Sequence, residues 1–168
     1  MNTVIIGLGN TILSDDGVGV YVARRLRRRL NGSFSVLEAE LAGLDLMEMM
    51  KDYQRAVIID AINLEGEEPG TVFRLSNDDI RITPRLASCH DIDLGTAVAL
   101  GERLGFDMPE EVIIFAVQGE DLLTLGEGCL EAVEKVIPPL VDEIAGMLTG
   151  EDFTRISVGL DRRKRKDA

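Results

Sequence analysis

The chain has 168 residues, a length typical of one domain, and 45% of them are hydrophobic and 29% charged. These values exclude a disordered chain, a collagen-like repeat and a coiled coil, and no apolar run reaches the roughly 18–20 residues of a membrane-spanning helix. The formal net charge is −12, and residues 30–160 alone carry 26 acidic against 8 basic residues, which disfavours nucleic acid as a partner.

The N-terminal residues lead directly into an apolar run without a basic segment, so we expect no signal peptide. Cys89 and Cys129 provide no disulfide framework and favour a reduced, cytoplasmic protein. Residues 1–150 contain neither a linker nor a repeat, and we interpret them as one domain. The basic segment 151–168 is predicted to be a flexible tail, and we expect a monomer that does not bind membranes.

Apolar runs and helical spacing predict elements that alternate along the chain. They are a strand at 4–6, a helix at 16–30, a strand at 35–38, a helix at 44–50, strands at 56–60 and 71–75, a helix at 94–104, a strand at 112–117 and a helix at 130–148. The strand at 71–75 is expected at an edge, and Pro138 and Pro139 are expected to kink or break the last helix.

Apolar stripes indicate which helix faces are buried. Val18, Val22, Leu26 and Leu30 form one stripe, with the arginines between 24 and 29 on its solvated back. Similar stripes comprise Leu44, Met47 and Met50 in the second helix, and Leu94, Val98 and Leu104 in the third. This alternation predicts a three-layer α/β/α sandwich around a mainly parallel twisted sheet. Ligands of such folds bind beyond the carboxyl ends of the strands, so the loops after residues 6, 59 and 117 are candidates for the site.

The loop at 7–19 reads GLGNTILSDDGVG and matches neither of two phosphate-binding motifs. A dinucleotide fingerprint would place a third glycine at Ile12, and a P-loop would end in Gly-Lys-Ser/Thr, whereas this loop ends in two acids. It therefore delivers Asp15 and Asp16 to the start of a helix. Capping by Ser14 or Asp15 accounts for one acid, and we assign a functional role to Asp16.

Two further residues are expected near Asp16. Asp60 ends the third strand, and His90, the only histidine, precedes a helix. Each has an ordinary explanation, since an acid often marks a strand end and a loop histidine is often solvated. Together, two carboxylates and an imidazole suit nickel, zinc, cobalt or manganese and leave positions open for substrate. Cys89 would be a softer ligand, but a buried, inert thiol is the better interpretation.

Three blocks of sequence occur in order. They are Gly7-x-Gly9-Asn10 leading into Asp15-Asp16-Gly17-x-Gly19, then VIIDAI at 57–62, then Ser88-x-His90 followed by Asp93-Leu94-Gly95. Over about residues 3–148 the chain thereby resembles the hydrogenase maturation proteases, which finish the large subunit of nickel–iron hydrogenases. Many relatives carry Glu in place of Asp16, so the side chain here is one methylene shorter.

The resemblance implies an α/β/α endopeptidase that removes a C-terminal extension from the large-subunit precursor after nickel insertion. Asp16, Asp60 and His90 would meet nickel that the precursor supplies, so the metal would act as a recognition element, and other divalent metals can substitute. Asp16 and Asp60 are the catalytic candidates, acting directly or only through the metal. The cleft would be shaped by Gly7, Gly9, Asn10, Asp15, Gly17 and Gly43.

Two alternatives remain open. A magnesium-dependent phospho-receiver domain shares the acid pair and the strand-end aspartate, but it needs a lysine after the last core strand, where residues 117–120 read VQGE. A nickel chaperone without hydrolytic activity would bind free nickel and cleave nothing.

Overall fold

The structure is a computed structural model that describes residues 1–40, 44–77 and 94–150. Its strands are β1 (Thr3–Leu8), β2 (Ser35–Ala39), β3 (Arg55–Ile62), β4 (Val72–Ser76) and β5 (Glu111–Gln118). Its helices are α1 (Val18–Arg29), α2 (Leu44–Met50), α3 (Leu94–Arg103) and α4 (Glu131–Thr149), and a 3₁₀ turn (Ser14–Gly17) precedes α1.

The strands form one sheet in the order β2-β1-β3-β5-β4. The first four are parallel, and β4 pairs antiparallel with β5 at the edge that the sequence predicted. Because β1, β3 and β5 lie inside the sheet with both faces covered, they consist of nearly continuous apolar residues. The mainly parallel α/β arrangement is therefore confirmed.

Two buried clusters occupy the two faces of the sheet. One packs α1 and α4 on the faces of the strands that carry Ile5, Val57 and Phe115. The other packs α2 and α3 on the faces that carry Ile6 and Ile58. Neighbouring residues in a strand point to opposite faces, so each central strand contributes to both clusters and the molecule has three layers.

The α1 stripe is buried as predicted, and α1 carries its arginines outward. Arg24 and Arg27 bind Glu38 at 2.9 and 2.6 Å, and Arg25 binds Glu134 at 2.5 Å. Such partly exposed pairs contribute about 0–1 kcal/mol each, so they orient α1 more than they stabilise it. Met47 and Met50 are buried with Leu46, while the side chain of Leu44 lies outside the described residues.

The end of β3 and the exposure of Leu104 differ from the expectations. Strand β3 runs two residues beyond Asp60, because Ala61 and Ile62 pair with Val117 and Gln118 of β5. Leu104 was expected on the buried stripe of α3, but it is 57% exposed because α3 ends at Arg103 and Leu104 lies just beyond the helix.

Helix α4 is not broken at Pro138 and Pro139. Both prolines lie on its exposed face, so the carbonyl groups that lose a backbone donor belong to the exposed Glu134 and Lys135, where water can satisfy them. None of the described helices combines the length and the apolar character needed to cross a bilayer.

Candidate functional site

The first loop brings α1 unusually close to the sheet. A Cβ atom on Gly19 would lie 2.3 Å from the carbonyl oxygens of both Leu8 and Ile59, so this approach requires glycine. Gly9 has a φ of 125°, and a Cβ atom there would lie 1.8 Å from the carbonyl oxygen of Asp16. The glycines thus allow the 3₁₀ turn to sit at the carboxyl ends of β1 and β3.

Asp16 lies in this turn and is only 4% exposed. Its Oδ2 accepts a hydrogen bond from the backbone N–H of Asn10 at 2.7 Å, and the Oδ1 of Asn10 accepts one from the N–H of Ile12 at 3.1 Å. Asn10 therefore organises the loop while its own N–H holds the carboxylate. The Asp16 side chain is fixed from within its own loop.

Asp60 is partly exposed near the carboxyl end of β3, where its Oδ1 accepts a hydrogen bond from the N–H of Ala61 at 2.8 Å. Burial raises the pKa of Asp60 to about 7, the hydrogen bond from Ala61 opposes this rise, and the negative charge of Asp16 adds to it. The two carboxyl groups are thus close enough for their charges to interact. The structure brings together two of the three residues that the sequence singled out.

Asp15 has a different role from the capping that we expected. No side chain caps the 3₁₀ turn, and Asp15 is completely buried. Its carboxylate accepts hydrogen bonds from the N–H groups of Glu120 at 2.9 Å, Asp121 at 3.2 Å and Leu130 at 2.7 Å. It therefore joins the first loop to the loop at 119–130, which follows β5.

The loop at 119–130 is bonded to the first loop through contacts that the sequence did not indicate. The backbone N–H of Ser14 donates to the carbonyl of Gly126 at 2.8 Å, and the Ser14 hydroxyl donates to the carbonyl of Thr124 at 3.1 Å. These partners lie more than 100 residues apart, so no local pattern reveals them. The sequence does mark this loop in one way, because Leu123 and Leu125 are two large apolar residues in a loop segment.

The third predicted ligand, His90, lies outside the described residues, as do Cys89, Asp93 and Gly43. Within residues 1–40, 44–77 and 94–150, no group of three or more His, Cys, Asp and Glu side chains is arranged to hold a metal ion. Asp16 and Asp60 therefore constitute a pair of oxygen donors, and the proposed O,O,N set depends on the position of His90.

Cys129 lies close to the site and has the chemistry of an inert thiol. Burial raises its pKa to about 12, and the charges of Asp15 and Glu134 add to this rise. A thiol with so high a pKa stays protonated at neutral pH and is a poor nucleophile.

The carboxyl groups of Asp16 and Asp60 can both donate and accept a proton. This property suits general acid–base chemistry or the binding of a cation.

Known proteins match the chain over most of its length. A family model described as hydrogenase maturation protease matches residues 20–147. The hydrogenase 2 maturation protease of Escherichia coli is 25% identical over 151 residues, which cover 88% of this chain and 91% of that protein. The hydrogenase expression/formation protein HupD of Thiocapsa roseopersicina is 24% identical over 143 residues, which cover 83% of this chain but only 64% of that protein.

Solved structures support the same fold. The hydrogenase maturating endopeptidase HybD from E. coli superposes with a TM-score of 0.72 at 23% identity, covering 89% of this chain and 93% of that one. This likeness confirms the α/β fold. The family model spans more than half of the chain, and the chain therefore belongs to the hydrogenase maturation protease family.

Proposed function

We propose that the chain is an endopeptidase that removes the C-terminal extension of a nickel–iron hydrogenase large-subunit precursor after nickel insertion. The observation that carries the proposal is the pair formed by Asp16 and Asp60 at the carboxyl edge of the sheet, in a chain of the maturation protease family. The nickel bound in the precursor acts as the recognition element, so it is part of the substrate.

The pair fits a cation on chemical grounds. Asp60 is a carboxyl group that burial and the charge of Asp16 hold partly protonated at neutral pH. A divalent ion beside both groups would favour the ionised form and would release a proton on binding. Two carboxylate oxygens, with the imidazole of His90 as the proposed third donor, suit nickel, and other divalent metals can occupy such a set.

The same pair can carry out the proton transfers of peptide hydrolysis. A carboxyl group with a pKa near 7 can accept a proton from the attacking water and return it to the leaving amine. The Oδ2 of Asp16 accepts the N–H of Asn10, which holds this second carboxyl group in place close enough to Asp60 for the two to interact. Nickel in the precursor would supply positive charge next to the scissile peptide.

The phospho-receiver alternative loses support from the topology. A receiver has the flavodoxin-like strand order 2-1-3-4-5, whereas this sheet has the order β2-β1-β3-β5-β4 with an antiparallel edge strand. The chaperone alternative is separated by activity, because it predicts tight binding of free nickel and no cleavage.

The proposal is tested by processing assays on Asp16→Asn, Asp60→Asn and His90→Ala, with a nickel-loaded precursor and mass spectrometry of the released peptide. We expect each variant to lose at least about 100-fold in rate, because each removes an acid–base or metal-recognition group. Asp52→Asn is the matched control, since it makes the same change at an exposed position just before β3, at the amino ends of the strands. Processing by all three variants at the rate of the control would refute the site.

A further inference from the structure

The loops around the catalytic pair expose large apolar side chains to solvent. Leu123 is 86% exposed, Leu125 is 75% exposed and Ile12 is 52% exposed. Exposed apolar side chains of this size are unfavourable in water relative to burial, so a contact that covers them would be favourable. We refer to Ile12, Leu123 and Leu125 together as the leucine face.

Extensive hydrogen bonding holds the leucine face in place. The Gly126 N–H donates to the carbonyl of Ile12 at 3.0 Å, which joins the two loops directly. The Asp121 carboxylate accepts hydrogen bonds from the N–H groups of Leu123 at 3.0 Å and Thr124 at 2.9 Å. With the buried Asp15 carboxylate holding both ends of the second loop, the apolar side chains project from an ordered platform.

This platform is joined through the backbone to the turn that carries Asp16. Ile12 and Asp16 belong to one loop, and Asp15, next to Asp16, bonds to the loop that carries Leu123 and Leu125. A peptidase must hold polypeptide beside its catalytic groups, so the surface that adjoins Asp16 is a surface that substrate contacts. The leucine face is thus placed to bind the chain on one side of the scissile bond.

The charge around the leucine face indicates which kind of polypeptide segment could bind there. The loops at 7–17 and 119–130 contain five acidic residues, Asp15, Asp16, Glu120, Asp121 and Glu127, and no lysine or arginine. Glu120 and Glu127 are exposed, one on each side of the leucines along the chain. An acidic partner segment would be repelled here, whereas a segment that combines apolar with basic side chains would be complementary.

We propose that the leucine face docks an apolar segment of the hydrogenase precursor whose basic side chains face Glu120 and Glu127. This proposal rests on the proposed function for the identity of the partner. It adds a surface that recognises polypeptide and acts independently of nickel, so it would contribute to affinity for precursor with or without the metal.

The test measures binding of a nickel-loaded precursor by biolayer interferometry in an Asp60→Asn background, where cleavage is expected to be at least about 100-fold slower. Leu123→Ser combined with Leu125→Ser should raise Kd about tenfold or more, because two buried contacts become polar. Leu104→Ser is the matched control, since Leu104 is also exposed, at 57%, and lies outside both loops; it should leave Kd within twofold. Glu120→Gln with Glu127→Gln should weaken binding about threefold and reduce its dependence on salt.

A Kd within twofold of the parent for the double serine variant would overturn the proposal. Unchanged thermal unfolding of that variant excludes misfolding, and Leu123→Ala provides a milder second substitution. Self-association of the parent that the serine variant abolishes would assign the face to a second copy and would also overturn it. Because binding is measured apart from cleavage, a chain that binds precursor but never processes it would contradict the proposed function and leave the docking surface supported.

Discussion

Asp60 combines two properties that rarely occur in a structural carboxyl group. It lies within a central strand, and its pKa is raised to about 7 because burial disfavours the charged form and Asp16 adds its negative charge. The folded state therefore holds a proton at Asp60 that the unfolded chain releases near its ordinary pKa of 3.8. Between these values, ionising Asp60 opposes folding.

This coupling predicts how stability depends on pH. The contribution of Asp60 is most favourable below about pH 4, declines as pH rises towards 7 and is constant above that value. Asp60→Asn should therefore raise the free energy of unfolding by roughly 2–4 kcal/mol more at pH 8 than at pH 4.

The measurement is urea unfolding of metal-free protein at both pH values, with Asp52→Asn as the control for the loss of one charge. An equal effect of Asp60→Asn at pH 4 and pH 8 would show that Asp60 titrates normally. That result would remove the electrostatic argument for the pair.

At the scale of elements, the loop at 7–17 and the loop at 119–130 act as one unit through Asp15. A buried carboxylate that accepts three backbone hydrogen bonds cannot be replaced by an amide without opposing one donor with another. Asp15→Asn should therefore cost about 2–3 kcal/mol of stability, even though it changes only one atom type.

This prediction is checked by chemical denaturation, and hydrogen exchange at the amides of Glu120, Asp121 and Leu130 locates the effect. Exchange at these amides should accelerate in Asp15→Asn, while amides of β3 keep their protection relative to global unfolding. A loss of stability below about 0.5 kcal/mol with unchanged exchange would mean that the two loops do not depend on Asp15.

The elements differ in how well the sequence predicts them. Strands such as β1 and β5 and the stripe of α1 follow from local patterns, because burial of both strand faces leaves a continuous apolar run and burial of one helix face leaves a periodic stripe. An acid after an apolar run often marks a strand end, which predicts that β3 ends at Asp60, yet pairing of Ala61 with Val117 extends the strand. The break expected at Pro138 failed because the proline lies on the exposed side of a helix that packing holds together.

The residues of the candidate site also differ in how well the sequence predicts their roles. Asp16 and Asp60 could be recognised because Asp16 lies in the loop after β1 and Asp60 lies near the carboxyl end of β3, and parallel strands bring their carboxyl ends to one edge. The role of Asp15 could not, since its partners lie more than 100 residues away and are backbone groups that carry no sequence signal. The position of His90 relative to the pair stays a prediction.

At the scale of the whole molecule, charge is distributed unevenly. The arginines of α1 form ion pairs with neighbouring elements, such as Arg24 with Glu38 of β2 and Arg25 with Glu134 of α4. At the carboxyl ends of the strands, in contrast, the loops at 7–17 and 119–130 form an edge that contains acids and no lysine or arginine. A substrate that carries a divalent metal and basic side chains would therefore be attracted to this edge.

In the proposed function, the chain recognises nickel that is already present in its substrate. The direct measurement incubates the purified protein with nickel-loaded and nickel-free precursor in parallel and follows the mass of the large subunit. We expect loss of the C-terminal peptide from the nickel-loaded precursor alone, at a rate that falls at least about 100-fold in Asp16→Asn. Equal processing of both precursors, or cleavage of neither with tight binding of free nickel, would contradict it.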